Sequence, residues 1–160
     1  MIVFHGSNME VATPFVHLGR NNLDFGKGFY VTTLPKQAAR WAETIVRLRP
    51  RGAAIINKYE LDYEGIKNAG FATLCFAEYN EEWLDFILNC RRGKDTTDYD
   101  IIIGGIANDK VFNTVELFFE GLINKNEAIN RLRYEKPNLQ ICFRTQRVID
   151  CLYFEGSEVV

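Results

Sequence analysis

The sequence predicts an α+β fold whose strands pair between distant segments. Two kinds of run carry that expectation. Short aromatic or β-branched stretches such as "FYVTT" (29–33) and "YDIIIGGI" (99–106) read as strands. Stretches with apolar residues at helical spacing, such as 79–90 and 108–121, read as amphipathic helices. The two alternate without a regular strand-helix-strand rhythm, which points away from a doubly wound parallel sheet. The length, 160 residues, corresponds to one domain covering 1–160. With 47% hydrophobic residues, that domain can bury a sizeable core.

The elements follow in order. "IVFH" (2–5) is a short strand ended by Gly6. Residues 7–28 read as loop, punctuated by Pro14, Gly19, Gly26 and Gly28. After the strand at 29–33, Pro35 opens a helix, with Thr32 or Thr33 near its start and Ala38, Trp41, Ala42, Ile45 and Leu48 on one face. "AAIINKYEL" (53–61) is a strand with partial alternation, and 79–90 is a helix burying Trp83, Phe86, Ile87 and Cys90. The apolar strand at 99–106 stops at two glycines. The helix at 108–121 aligns Val111, Val115 and Phe118, and Gly121 suits its C-terminal cap. Asn126 is expected to cap a further helix. "LQICFRT" (139–145) and "CLYFEG" (151–156) are late strands around a short helical turn.

Charge and cysteine content exclude several classes. A net charge of −2 argues against general electrostatic attachment to nucleic acid or an anionic membrane. The cationic runs "RLRPR" (47–51) and "CRRGK" (90–94) read as solvated helix ends, where cations complement the dipole. Cys75, Cys90, Cys142 and Cys151 form no C-x-x-C pair and lie far from His5 and His17, so no metal site is expected. They read as small apolar core residues of a reduced compartment. "MIVFHGS" has no secretory character, and no apolar run nears the roughly 20 residues that span a bilayer. The expectation is a soluble, cytoplasmic protein without a membrane partner.

The common nucleotide and hydrolase motifs are absent: there is no G-x-G-x-x-G after a strand, no Walker-type G-K-[ST] and no G-x-S-x-G. Three polar features remain. His5, Gly6 and Ser7 end the first strand. The imidazole offers two ring nitrogens, the glycine a backbone open to close approach, and the serine a hydroxyl. The same residues also suit a plain strand end. Tyr30 can present a flat face to a ring or sit in a core. Lys27, between Gly26 and Gly28, can reach a ligand oxygen or stay a solvated turn residue.

Taken together, "FHGS", "DFGKGFYVTT" and "QAARWA" resemble the ADP-ribosyltransferase superfamily. The likeness is to its His-Tyr-Glu branch of poly(ADP-ribose) polymerases and diphtheria toxin. Across residues 3 to 155 the chain resembles a bacterial family of that superfamily, DUF3990, through "EEWLDFILNCR", "YDIIIGGIANDKVF" and "LQICFRT" as well. The resemblance implies a split β-sheet core with flanking helices. It also implies NAD+ as a substrate, cleaved between nicotinamide and ribose. Gly6 would clamp the carboxamide, Tyr30 would stack on the ring, His5 and Ser7 would hold the adenosine-side ribose, and Lys27, beside Gly28, would approach the other ribose or the pyrophosphate. Trp41 would anchor the helix behind the site.

One position departs from that pattern. The late strand carries Gln140 where glutamate-bearing members have their carboxylate. An amide can hydrogen-bond a ribose hydroxyl but brings no charge and cannot act as a base. Chain elongation is therefore not expected, while single transfer stays open. Asp109, and after it Asp24, are the candidates to activate an acceptor, although Asp109 also suits a helix start. The readings are a mono-ADP-ribosyltransferase acting on a protein or nucleic acid, by analogy a toxin of a toxin–antitoxin or phage-defence pair with a small antitoxin partner; an NAD+ glycohydrolase; or an inactive NAD+ or ADP-ribose-binding module.

Overall fold

The computed structural model describes residues 1–106, 109–135 and 137–160, without the side chains of Ile106 and Asp109. The chain is α+β. Its strands are β1 (Ile2–Ser7), β2 (Phe29–Thr32), β3 (Ile55–Leu61), β4 (Thr73–Cys75), β5 (Ile101–Ile106), β6 (Asn138–Phe143) and β7 (Leu152–Val159). Its α-helices are α1 (Pro35–Leu48), α2 (Tyr63–Asn68), α3 (Glu81–Arg91), α4 (Asp109–Phe119) and α5 (Lys125–Leu132). Short 3-10 turns occur at Val16–Leu18 and Gln146–Cys151.

The strands form one mixed sheet in the order β4-β5-β6-β2-β1-β3-β7. All neighbours are antiparallel except β4 and β5. The sheet is narrowest between β1 and β2, which share the single register pair Phe4↔Thr32. On either side the ladders are long: β1 pairs with β3 from Ile2↔Glu60 to Ser7↔Ile55, and β2 with β6 from Phe29↔Phe143 to Thr32↔Gln140. The sheet is connected throughout, and the β1–β2 junction is its seam.

Strand alternation sends side chains to two separate cores. Val3, Val31, Tyr59, Leu61, Ile101, Ile141 and Phe143 pack on one face. Ile102 and Cys142 pack on the other, with Phe25, Trp83, Leu84, Ile87, Val111, Val115, Ala128 and Leu132. The second core holds the inward faces of α3, α4 and α5. Burying each such side chain contributes roughly 1.5–3 kcal/mol, so both sheet faces stabilise the fold.

Helix starts follow local chemistry. The Asn80 side chain accepts from Trp83 N–H at 2.9 Å, and Asp62 from Gly65 N–H at 2.8 Å. The cap of α5 is Asn124, which accepts from Glu127 N–H at 2.9 Å, two residues before the expected Asn126. Gly121 ends α4 at φ +75°, with its N–H donating to Phe118 O. No side chain caps α1; Thr32 instead accepts from Leu34 N–H just before it. Of the expected α1 face, Ala38 and Ala42 are fully buried, Trp41 and Ile45 are half-buried, and Leu48 is exposed. Neither α2 nor β4 was expected.

Asp100, fully buried ahead of β5, pins the far end of the sheet. It accepts from Arg147 through Nε at 2.9 Å and Nη2 at 2.6 Å, from Thr145 Oγ1 at 2.6 Å and from Ala72 N–H at 3.0 Å. The hydrogen bonds from Arg147 hold its carboxyl down at about 2.

Candidate functional site at the seam between β1 and β2

Beyond Phe4↔Thr32 the two strands part, and the conspicuous residues lie where they do. Met1 and Leu61 exchange hydrogen bonds across β1 and β3, the Met1 amino group to Leu61 O at 2.9 Å and Leu61 N–H to Met1 O at 2.7 Å. In an antiparallel ladder this alternates. Odd residues of β1 therefore point their backbone groups at β3, and Phe4 and Gly6 point theirs toward β2. Gly6 lies past the last register pair with β2. Its N–H and C=O are directed at the opening seam.

The missing side chain of Gly6 has a second reason. A Cβ there would overlap the Ala38 carbonyl oxygen and stand 2.8 Å from Ala42 N. Helix α1 thus rests directly on β1, seated by Ala38 and Ala42. Trp41, expected as the anchor, is half-buried and belongs to neither core cluster; the alanines anchor the helix because only small residues allow so close an approach.

His5 bridges the seam. Its Nδ1 lies 2.7 Å from the Tyr30 carbonyl oxygen, and its ring sits 4.3 Å from that of Phe29. Burial lowers its pKa to about 4, against the opposing pull of that carbonyl, so the ring is neutral at pH 7. A carbonyl only accepts, so Nδ1 carries the proton and Nε2 keeps a lone pair. Ser7 is buried beside it, its residue 8% exposed.

The bend before β2 is held by Tyr30. Its hydroxyl donates to Gly26 O at 2.6 Å and accepts from Phe25 N–H at 3.1 Å. Burial pushes this phenol well above its ordinary value. The ring packs against the second core, on the sheet face opposite His5. Gly26 sits at φ +76°, and a Cβ on Gly28 would strike Cys142 Sγ and Phe143 O. The glycines around Lys27 therefore shape the turn and its packing on β6. Lys27 is exposed, with no ion pair among the described residues.

Gln140 is set in a lateral row across four strands. Phe4 pairs with Thr32, Thr32 with Gln140, and Gln140 with Gly104. Paired residues share a face, so Gln140 lies on the face of Tyr30, which pairs with Cys142 one row along. Gln140 is 5% exposed, and its side chain makes no hydrogen bond among the described residues. Its amide atoms are not among those sealed from solvent without a partner. The amide atoms therefore keep some contact with solvent.

The two carboxylates expected to activate an acceptor fare differently. Asp109 opens α4, and its side chain lies outside the described residues. Asp24 is engaged: Arg91 holds it through Nε and Nη2 at 2.8 Å and also pairs with Glu116. Arg91 is therefore a paired cation under the bend and not the solvated helix end expected for that run.

Sequence reasoning passed over the residues that fix the loop leaving "HGS". Asn57, fully buried in β3, accepts from Val11 N–H at 2.7 Å and donates to Met9 O at 3.2 Å. The Tyr59 hydroxyl donates to Val11 O. A polar Asn among the otherwise apolar or aromatic inward residues of β3 (Ile55, Tyr59 and Leu61) was the signal available.

Elsewhere, a shallow crevice of about 380 Å³ lies between Met1, Asp62, Tyr63 and Tyr153, away from the seam. Among the described residues no group of three or more His, Cys, Asp or Glu is placed to hold a metal. No helix there is long and apolar enough to cross a membrane. No curated protein and no solved structure matches the chain. Residues 1–154 match the family described as Protein of unknown function (DUF3990), and the chain belongs to that family.

Proposed function

We propose that this protein is an NAD+-dependent mono-ADP-ribosyltransferase, with NAD+ as substrate and the seam between β1 and β2 as its site. The observation that carries the reading is the nearly buried, unpartnered Gln140 amide, in the strand row next to Tyr30 and within the seam's own sheet. Its fit to a ligand rests on two further features. Gly6 turns a donor and an acceptor toward the opening, the pair a carboxamide needs. Neutral His5 keeps an accepting Nε2, suited to a ribose hydroxyl.

Cleaving the nicotinamide–ribose bond builds positive charge on the ribose carbon. A neutral amide at Gln140 orients a hydroxyl but stabilises that charge less than a carboxylate does. This favours single transfer over chain growth. It also gives weight to a second reading, a glycohydrolase or an inactive NAD+- or ADP-ribose-binding module. Tyr30 has only its ring face to offer, since its hydroxyl is committed to the bend, and it offers that face from the side of the sheet opposite His5, so the ligand would have to reach through the seam. A toxin role with a small antitoxin, and a cytoplasmic location, belong to the same proposal by analogy with the resembling family.

Labelled NAD+ added to purified protein and cell lysate distinguishes these readings. Label on a macromolecule supports transfer. Free ADP-ribose without labelling supports hydrolysis, and binding without turnover supports the inactive module. Absence of NAD+ binding, with His5→Ala and Tyr30→Ala changing nothing, removes the assignment.

A further inference from the structure

Strand β7 is the long open edge of the sheet. It spans Leu152–Val159, whereas the opposite edge, β4, has only three residues. The hydrogen-bond phase set by Met1 and Leu61 leaves even residues of β3 facing β7, so Tyr153, Gly156 and Glu158 bond inward. Val160 N–H to Ala54 O and Asp62 N–H to Cys151 O, both 2.9 Å, keep the same phase. Leu152, Phe154, Ser157 and Val159 therefore turn their N–H and C=O outward. Among the described residues the Leu152 N–H is taken by Ile149 O, while the outward groups of Phe154, Ser157 and Val159 make no backbone hydrogen bond to another segment.

Natural edges are guarded by lysine, proline or bulges. Here residues 148–160 contain no Lys, Arg or Pro. One bulge, beside Gly156, divides the outward row but leaves Ser157 and Val159 open beyond it. The charges along this edge are of one sign. Glu155 and Glu158 are exposed on β7, and Glu10 lies alongside, accepting from Ser157 Oγ at 2.6 Å. The cation nearest in register, Lys58, is one strand further in.

We propose that β7 accepts a basic, extended segment of another protein as an added strand. Backbone pairing would supply affinity and the Glu residues would select the charge. Like charges opposed across strands disfavour an acidic segment, and they equally disfavour a second copy of β7.

The test uses the full chain with fluorescent peptides as long as β7, one alternating Lys with Val and one alternating Glu with Val. Anisotropy titration should show the Lys peptide binding at least about tenfold more tightly. Val159→Pro removes one outward N–H without touching the β3 ladder and should weaken binding, while Val159→Ala should not. Glu155→Lys with Glu158→Lys should reverse the preference between peptides, a readout independent of the proline. Equal binding of both peptides, no binding, or binding indifferent to these changes overturns the proposal. So does a dimer that Val159→Pro dissociates, since the occupant would then be a second copy.

Discussion

The Nδ1 atom of His5 lies 2.7 Å from the carbonyl oxygen of Tyr30, joining two strands where their ladder has already ended. The imidazole stands in for a missing rung, and it does so uncharged.

That neutrality predicts a pH window. His5 titrates near 6.5 when unfolded and near 4 when folded. Between those values the unfolded chain binds more protons, so its contribution is full above pH 6.5 and is lost as pH falls toward 4. Asp100, lowered from 3.8 to about 2, gives a second window below the first, again lost as pH falls. Denaturant titrations of wild type and His5→Gln between pH 7.5 and 4.5 test this. The variant should show a flatter slope; an unchanged slope removes His5 as the cause.

The glycines should separate by mechanism. Gly6→Ala forces a methyl into the Ala38 carbonyl and should cost about 1–3 kcal/mol or more as α1 is displaced. At Gly26 the nearest atom to a new Cβ is Arg144 Nη2 at 3.7 Å, so only the φ of +76° opposes alanine, at about 1 kcal/mol. Equilibrium unfolding ranks the two; the reverse order would contradict the packing of α1 on β1.

Gln140→Glu asks whether charge is what the site lacks. At pH 7 a carboxylate at this nearly buried position has no cation in the described hydrogen-bond network, so stability should drop by about 1–3 kcal/mol. If the seam cleaves NAD+, nicotinamide release should rise in the same variant. A stable variant with unaltered release would detach Gln140 from both roles.

Thiol reactivity should follow burial. Cys75 is exposed, Cys151 is half-buried, and Cys90 and Cys142 are buried with their thiols pushed up to about 12 by desolvation. Intact-mass measurement after maleimide treatment should show one prompt adduct and a slower second. The remaining two should appear only in denaturant. Prompt modification of Cys142 would contradict the packing of β6 beneath Gly28.

Much of this was legible in the sequence, for identifiable reasons. Long periodic runs gave α3 and α4, and β-branched or aromatic runs gave β2 and β5, because burial on one face leaves a repeat. The short elements left none. Helix α2 has six residues with Gly65 inside it and depends on the Asp62 cap, and β4 is three residues held by β5. The "HGS" and "FGKGFY" segments stood out by composition, but local sequence could not say what their glycines touch. Gly6 answers to α1 and Gly28 to β6, partners more than 30 and 110 residues away respectively. Nor could "CRRGK" disclose that Arg91 pairs with Asp24 and Glu116, since those carboxylates arrive from a loop and another helix.

The place of β6 has a consequence for how the chain comes to be folded. Strand β6 is the strip between β5 and β2, so β4 and β5 join the rest of the sheet only through it. Until residues 138–143 have left the ribosome, an emerging chain holds two unconnected half-sheets, each with an unpaired edge. The sheet therefore closes only once β6 has emerged, and a chain stalled before β6 presents those edges to whatever meets it.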